Sequence, residues 1–296
     1  VLPYAALVAD WIVTALWPLV GQAGLRYYSA VPFLWAGLLI GTACLLPFML
    51  AGGRWRRLFA RDVAPSLVAM GVFSGAATLI YICALNYTTP VNTVIIAQVE
   101  VLYSSLISAR YLGERPTLKQ SLASLLVVAG TAMIVLRDLH SPHLRGDLMV
   151  LFTPWMYQVS HVYSKKLPHD LDAMTLSGGR VFYGLLATTP FALWAFARGT
   201  AWSWAPPALR VLAAQGVLMS SLNFVLWYVA IRGMELSKAT TILLSYPALT
   251  LVFAWALGRE AIGVAQLAGL SCTFAGAAWT ARLSLERRHV LEVSPA

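Results

Sequence analysis

Residues 29–50 read SAVPFLWAGLLIGTACLLPFML, a run without a charged side chain. An α-helix needs about 20 apolar residues to cross the hydrocarbon of a bilayer, so this stretch is long enough to span one. Nine more runs of the same kind stand near 2–21, 66–86, 91–110, 118–136, 147–164, 174–197, 208–231, 238–257 and 262–281. The connections are short and carry helix breakers, among them Ala51-Gly52-Gly53, Thr89-Pro90, Gly113-Glu114-Arg115-Pro116 and Ala205-Pro206-Pro207. None has room for a separate soluble domain. A β-barrel would need alternating strands of roughly ten residues, whereas these runs are continuously apolar. The expected fold is all-α and integral to the membrane, with ten transmembrane helices.

The whole chain agrees with that stretch. Of 296 residues, 11% are charged and 59% hydrophobic, and the mean hydropathy is +0.72. Soluble domains carry roughly 25% charged residues. A core of this size could not hide so much apolar side chain, so the surface itself must be apolar. A disordered chain and a secreted disulfide scaffold are thereby excluded. Cys44, Cys83 and Cys272 sit in apolar runs without CxxC or CxxH spacing, so neither a disulfide framework nor a metal site is expected. No cofactor is expected, since the Gly-x-x-x-x-Gly-Lys-Ser/Thr nucleotide loop is absent. The net charge of +9 comes without a basic run interleaved with aromatics, so nucleic acid is not an expected partner. The first run lacks the basic flank of a cleavable signal peptide. The chain opens with Val1 rather than Met, and a short native segment is expected to precede it.

Lys and Arg set the orientation. With the N-terminus inside, 14 of the 21 fall on cytoplasmic connections, including Arg54, Arg56, Arg57 and Arg61 after the second run. Six fall outside, namely Arg26, Arg137, Arg145, Arg198, Arg210 and Arg259, and Arg180 lies within a helix. That bias places both termini in the cytoplasm.

Ten helices invite a search for a duplication. At an offset of 146, Ala84–Ala132 overlays Ala230–Ala278, with Glu114 on Glu260, Gln120 on Gln266 and Ala129-Gly130 on Ala275-Gly276. At the same offset Ser74 falls on Ser220 and Tyr81 on Trp227. At 143, Gly41 falls on Gly184 and Pro47-Phe48 on Pro190-Phe191, and at 144 Trp11 falls on Trp155. Five helices per half is an odd number, so the halves must have opposite topology: an inverted repeat, residues 1–137 and 146–284, with 285–296 a cytoplasmic tail. In such folds the substrate site lies near the midplane, between the halves.

The chain resembles the drug/metabolite transporter superfamily and its EamA-type ten-helix members. The resemblance rests on Tyr111-Leu112-Gly113-Glu114-Arg115 followed by Val128-Ala129-Gly130, repeated as Leu257-Gly258-Arg259-Glu260 and Phe274-Ala275-Gly276, where Arg259 interrupts the usual Gly-Glu pair. Gly146-Asp147-Leu148 and Arg180, whose counterpart in the first half is Gly37, also resemble the family. Many members carry Glu-Pro midway along the fourth helix; here Val101 follows Glu100, while the ninth run keeps Pro247 without the acid. The resemblance implies a transporter, commonly an exporter of amino acids or other metabolites; the YddG-type amino-acid exporters are one branch.

An ionisable group at mid-membrane costs at least about 2.5–3.5 kcal/mol, which makes each one a functional candidate. Glu100 shares a helical face with Thr93 and Ser104, and one step over with Tyr103. A desolvated carboxyl there suits proton coupling or a substrate ammonium, or equally a neutral acid bonded across helices. Asp10 has three readings: a cap, a partner to a neighbour, or cavity lining. Arg180 is expected about one turn from the cytoplasmic end, where it can snorkel, or else hold a substrate carboxylate or a gate. His161 titrates in the physiological range or serves as an interhelical hydrogen-bonding group. Gly216, Ser220, Asn223 and Trp227 share one face, whose repeat mate presents Ser74, Ala77 and Tyr81. That face is either a cavity wall with a ring for stacking or a packing stripe. Trp11, Trp155, Gln158 and Tyr246, the repeat position of Glu100, complete the expected lining. Trp17, Trp35, Trp55, Trp194, Trp202, Trp204 and Trp279 read as interfacial anchors.

The resulting expectation is a secondary or facilitative transporter that exports a small metabolite through a midplane cavity by alternating access. Few fixed charges and aromatic walls suggest an amphipathic amino acid, with a drug or vitamin carrier, importing or exporting, as the rival. Enzyme and channel readings are weaker. A Gly-x-Ser-Gly or HExxH motif is missing, as is a filter sequence. The expected partners are the solute, the lipid bilayer and a coupled proton, in a monomer or weak homodimer. A bacterial inner membrane is the expected location.

Overall fold

A computed structural model of the chain describes residues 2–100, 102–103, 118–137, 143–168, 171–233, 243, 245–259 and 261–293. Every regular element among the described residues is helical. In chain order these are α1 (Leu2–Gly24), α2 (Ala30–Ala51), the single turn α3 (Arg54–Arg57), α4 (Ala64–Ala84), α5 (Pro90–Ala97), α6 (Leu118–Arg137), α7 (Leu144–Lys165) and α8 (Ala173–Ala197). Next α9 (Pro206–Ala214) runs through a π-helical stretch, Gln215–Leu222, into α10 (Asn223–Gly233), and α11 (Tyr246–Ala256) and α12 (Val264–Val293) follow.

Leu2–Gly24, Ala30–Ala51, Ala64–Ala84 and the composite Pro206–Ala230 are each long and apolar enough to cross a membrane. Ser121–Met133, Tyr246–Ala256 and Val264–Trp279 are shorter apolar helical stretches. The fourth run beyond residue 103 (Ser104 included), the Tyr111–Arg115 motif, the 238–242 opening of the ninth run, Glu260 and the 294–296 end of the tail lie outside the described residues.

Prolines sit inside these helices at Pro18, Pro47, Pro154 and Pro190. A soluble helix would break there, whereas in lipid neighbouring helices satisfy the freed carbonyls. The outer wall matches that solvent. Val8, Ile12, Leu39, Phe48, Leu125, Leu193, Trp194 and Trp255 are all exposed, a continuous apolar surface that water would not tolerate. Inside, Phe33, Leu34, Met49, Leu58, Leu67, Met70 and Tyr228 form the main core.

Small residues let the helices approach closely. A Cβ at Gly130 would stand 2.6 Å from the Gly269 carbonyl oxygen, and one at Gly276 would stand 2.6 Å from that of Ala123. The same two glycines meet Thr273 and Val127 respectively. Each of these contacts maps onto the other by the offset of 146. Early α6 meets late α12 and late α6 meets early α12, so the two helices run antiparallel about a local two-fold axis. A second reciprocal pair joins α2 to the π stretch at Gly41 and Ser220, and α4 to α8 at Gly75 and Gly184.

The connections also pair off. The Ser29 amide donates to the Ala201 carbonyl at 3.0 Å, and Tyr28 packs on Trp202. Tyr87 and Thr88, after α4, meet Arg145 and Asp147, at the start of α7. Arg54, after α2, pairs with Asp172, which caps α8 by accepting from the Thr175 amide at 2.8 Å.

Two spans depart from the sequence expectation. The fourth run was expected to be continuous from 91. It starts at Pro90 with Thr89 as cap, then tightens: Gln98 and Val99 donate to the carbonyls of Ile95 and Ile96, three residues back. The helix is thus interrupted immediately before Glu100. The eighth run, expected as a regular helix from 208 to 231, contains the π stretch, a feature that concentrates at functional positions.

Candidate functional site

The helix break presents Glu100 towards α7. Gln158 Nε2 donates to Glu100 Oε1 at 2.7 Å, and His161 Nε2 lies 3.9 Å from the same oxygen. Glu100 keeps 39% of its side-chain surface accessible. That accessible surface and the polar side chains around it define the candidate chamber. Tyr157 and Tyr246 lie within electrostatic reach of this carboxylate, and Tyr81 within reach of Tyr246. Tyr81 shares a 2.9 Å hydrogen bond with Thr93, and Tyr157 shares one of 2.9 Å with Thr78. Around Glu100 thus stand three tyrosines, two of them held by threonines, with one amide and one imidazole.

A second polar group lies deeper. Asp10 is 1% exposed and accepts from Asn223 Nδ2 at 2.9 Å, while that amide also donates to Thr14 at 2.9 Å. Arg180 was expected either to snorkel from near the helix end or to hold a substrate carboxylate or a gate. α8 carries it inward to 6% exposure, where Nε donates to Ser74 Oγ at 2.8 Å. Its guanidinium lies 4.3 Å over the Phe224 ring. Trp17, Ser74, Thr78, Ser220 and Phe224 enclose a cavity beside it of about 10 Å³, room for one water molecule.

Of the expected lining, Glu100, Gln158, His161, Tyr81 and Tyr246 come together at the chamber, and Asp10, Asn223, Ser220 and Arg180 in the deeper layer. Three residues stand elsewhere. Tyr103 turns to the Leu151 carbonyl at 3.3 Å, Trp227 packs against the Ala6, Leu7 and Ala230 cluster, and Trp155 is 41% exposed beside Phe73 and Phe152. Trp11 is half-buried, with its indole N–H enclosed and unpartnered. Ser74 is held by Arg180 while His161 turns to Glu100, so the two do not form a nucleophile–base pair.

Sequence reading missed Tyr157, Thr78, Thr14 and Phe224, and placed Trp17 at the interface. Trp17 packs instead against Tyr81 at 6.4 Å and Phe224 at 6.2 Å. The signal was available, because Asp10, Thr14 and Trp17 stand at i, i+4 and i+7 on one helical face, and Tyr157 stands one turn before His161.

Comparison with known proteins agrees with the architecture. The profile of the EamA-like transporter family matches residues 2–136 and again 144–282. An uncharacterized transporter of Archaeoglobus fulgidus is 25% identical over 71% of this chain and 74% of its own length. The uncharacterized transporter YoaV of Bacillus subtilis is 21% identical over 80% and 83%. A probable terminal-alkyne amino-acid exporter of Streptantibioticus cattleyicolor is 26% identical over 79% and 78%. One solved crystal structure shares the fold with a TM-score of 0.66 at 18% identity, over 97% of this chain and 98% of that one.

Proposed function

The chain belongs to the EamA-like transporter family of the drug/metabolite transporter superfamily, and from that premise we propose that it exports amphipathic amino acids by alternating access. The observation that carries this reading is Glu100, bonded to Gln158 and bordered by tyrosines, at the candidate chamber beside a helix break. A broken helix that lines a polar chamber is how transporters bring polar groups to a solute at membrane depth. The amino-acid exporter among the relatives supports the same solute class.

Residues 1–137 and 146–284 act as the two halves, inverted with respect to each other, and 285–296 is a cytoplasmic tail. The antiparallel Gly130 and Gly276 contacts and the double profile match support that division. So do the pairings of connections, each of which joins two segments assigned to the same side of the membrane. The halves rock about the chamber in a bacterial inner membrane, as a monomer or weak homodimer, with a proton as the coupled ion. The rival is a drug or vitamin carrier on the same fold.

Counterflow in proteoliposomes tests the reading. Vesicles loaded with an unlabelled amino acid should accumulate the labelled one transiently and saturably. Flux that rises linearly with concentration, without counterflow, would mark a channel. Counterflow with hydrophobic drugs but with no amino acid would select the rival.

A further inference from the structure

Arg180 is an interior cation whose hydrogen-bonding capacity is largely unused. Nε is taken by Ser74, and the guanidinium plane rests on Phe224. Among the described residues neither terminal Nη group has a hydrogen-bond acceptor. Asp10 and Glu100 lie within electrostatic reach, but each accepts a side-chain amide instead, from Asn223 and Gln158 respectively. A buried guanidinium is strongly disfavoured unless its planar fork meets an anion, and a carboxylate fits that fork with two parallel hydrogen bonds.

The repeat sharpens the argument. The counterpart of the Arg180 and Ser74 pair is Gly37 beside Ser220, where a Cβ on Gly37 would lie 2.7 Å from Gln215 Cγ and 3.5 Å from Ser220 Oγ. Uncharged side chains, Gln215 and Ser220, fill that equivalent contact, so packing alone does not call for a cation. The charge stands on one side of the chamber only. Thr78 lines the Arg180 cavity and bonds Tyr157, which is within reach of both Arg180 and Glu100. Tyr157 thus links the wall of the Arg180 cavity to the surroundings of Glu100.

Resting on the reading of the chain as an amino-acid transporter, we propose that the free Nη groups of Arg180 bind the carboxylate of a zwitterionic solute whose ammonium lies at Glu100. The tyrosine faces add attraction for that ammonium. With the solute in place both interior charges are compensated. The water-sized cavity must widen for the carboxylate to enter, as the rocking of the halves would allow.

Three probes separate the two ends: L-phenylalanine, phenethylamine (no carboxylate) and 3-phenylpropanoate (no ammonium). Their binding is measured on purified protein in lipid nanodiscs, for wild type, Arg180→Gln and Arg180→Lys. The expected result is that wild type prefers phenylalanine to phenethylamine by about tenfold to a hundredfold, the range of a charged hydrogen-bonded contact. Arg180→Gln should bind phenylalanine and phenethylamine alike, with phenethylamine affinity unchanged, which also shows that the variant is folded. Arg180→Lys should fall between. An unchanged preference in Arg180→Gln would overturn the subsite while leaving the transporter standing. So would an equal loss for all three probes in both variants. If wild type binds none of the three, the subsite also fails, and counterflow of other amino acids then decides the transporter reading separately.

Discussion

Gln158, on α7 in the second half of the chain, donates a 2.7 Å hydrogen bond to Glu100, on the interrupted fourth span in the first half. The bond joins the halves at the chamber and fixes the direction in which the carboxylate points. Gln158→Leu removes that donor while keeping most of the volume. Uptake in proteoliposomes should show KM raised by about tenfold or more, on the scale of a hydrogen bond to a charged group, with the protein still folded. An unchanged KM would make the bond a packing contact.

The close approach of α6 and α12 predicts a steric effect. Gly130→Val places side-chain atoms where a Cβ alone meets the Gly269 carbonyl at 2.6 Å, and backbone yields less readily than side chains. Thermal unfolding in detergent should show a loss of about 1–3 kcal/mol. Leu125→Ala, at a site 60% exposed on the outer wall, should stay within about 0.5 kcal/mol of wild type.

Asp172 links stability to pH. Burial pulls its pKa up, but hydrogen bonds from Thr175 and Arg54 and the Arg54 charge outweigh that and hold it below 3.8. A folded-state pKa below the unfolded one gives stability that is complete above about pH 4 and lost as pH falls through the folded value. Asp172→Ala should therefore cost about 1 kcal/mol at pH 7, where the cap is intact and the half-exposed pair adds little. The gap between variant and wild type should narrow at pH 3. A gap that does not change with pH would contradict the assignment.

Gln215 opens the π stretch fully buried, and among the described residues neither its amide nitrogen nor its oxygen has a partner. An unsatisfied buried amide costs about 1–3 kcal/mol, so Gln215→Met should raise the unfolding temperature. A lower one would mean that the amide is satisfied in the protein in solution.

The apolar runs made the bundle legible. Residues 29–50 became Ala30–Ala51 almost to the residue, because continuous hydropathy and flanking glycines define a membrane helix from local sequence. The offset of 146 also held physical content, since Gly130 and Gly276 make each other's contacts. The break before Glu100 and the π stretch at Gln215 were not legible. Both are changes of one residue in hydrogen-bond register, which leave apolar periodicity intact. Across that break Thr93 bonds Tyr81 and Glu100 bonds Gln158. Arg180 was misplaced because a position near a helix end looks solvated in sequence, whereas Ser74 and Phe224 hold it inward. Trp155, expected in the lining, is 41% exposed beside Phe73 and Phe152, because the offset of 144 says nothing about which face of α7 turns inward.

We propose that Glu100 carries the coupled proton of an amino-acid carrier. This is tested most directly by uptake of a labelled amino-acid panel into proteoliposomes, with and without an imposed pH gradient, for wild type and Glu100→Gln. The account predicts saturable uptake that the gradient accelerates in wild type and no longer affects in the variant. Saturable uptake with the same gradient dependence in both proteins would contradict it.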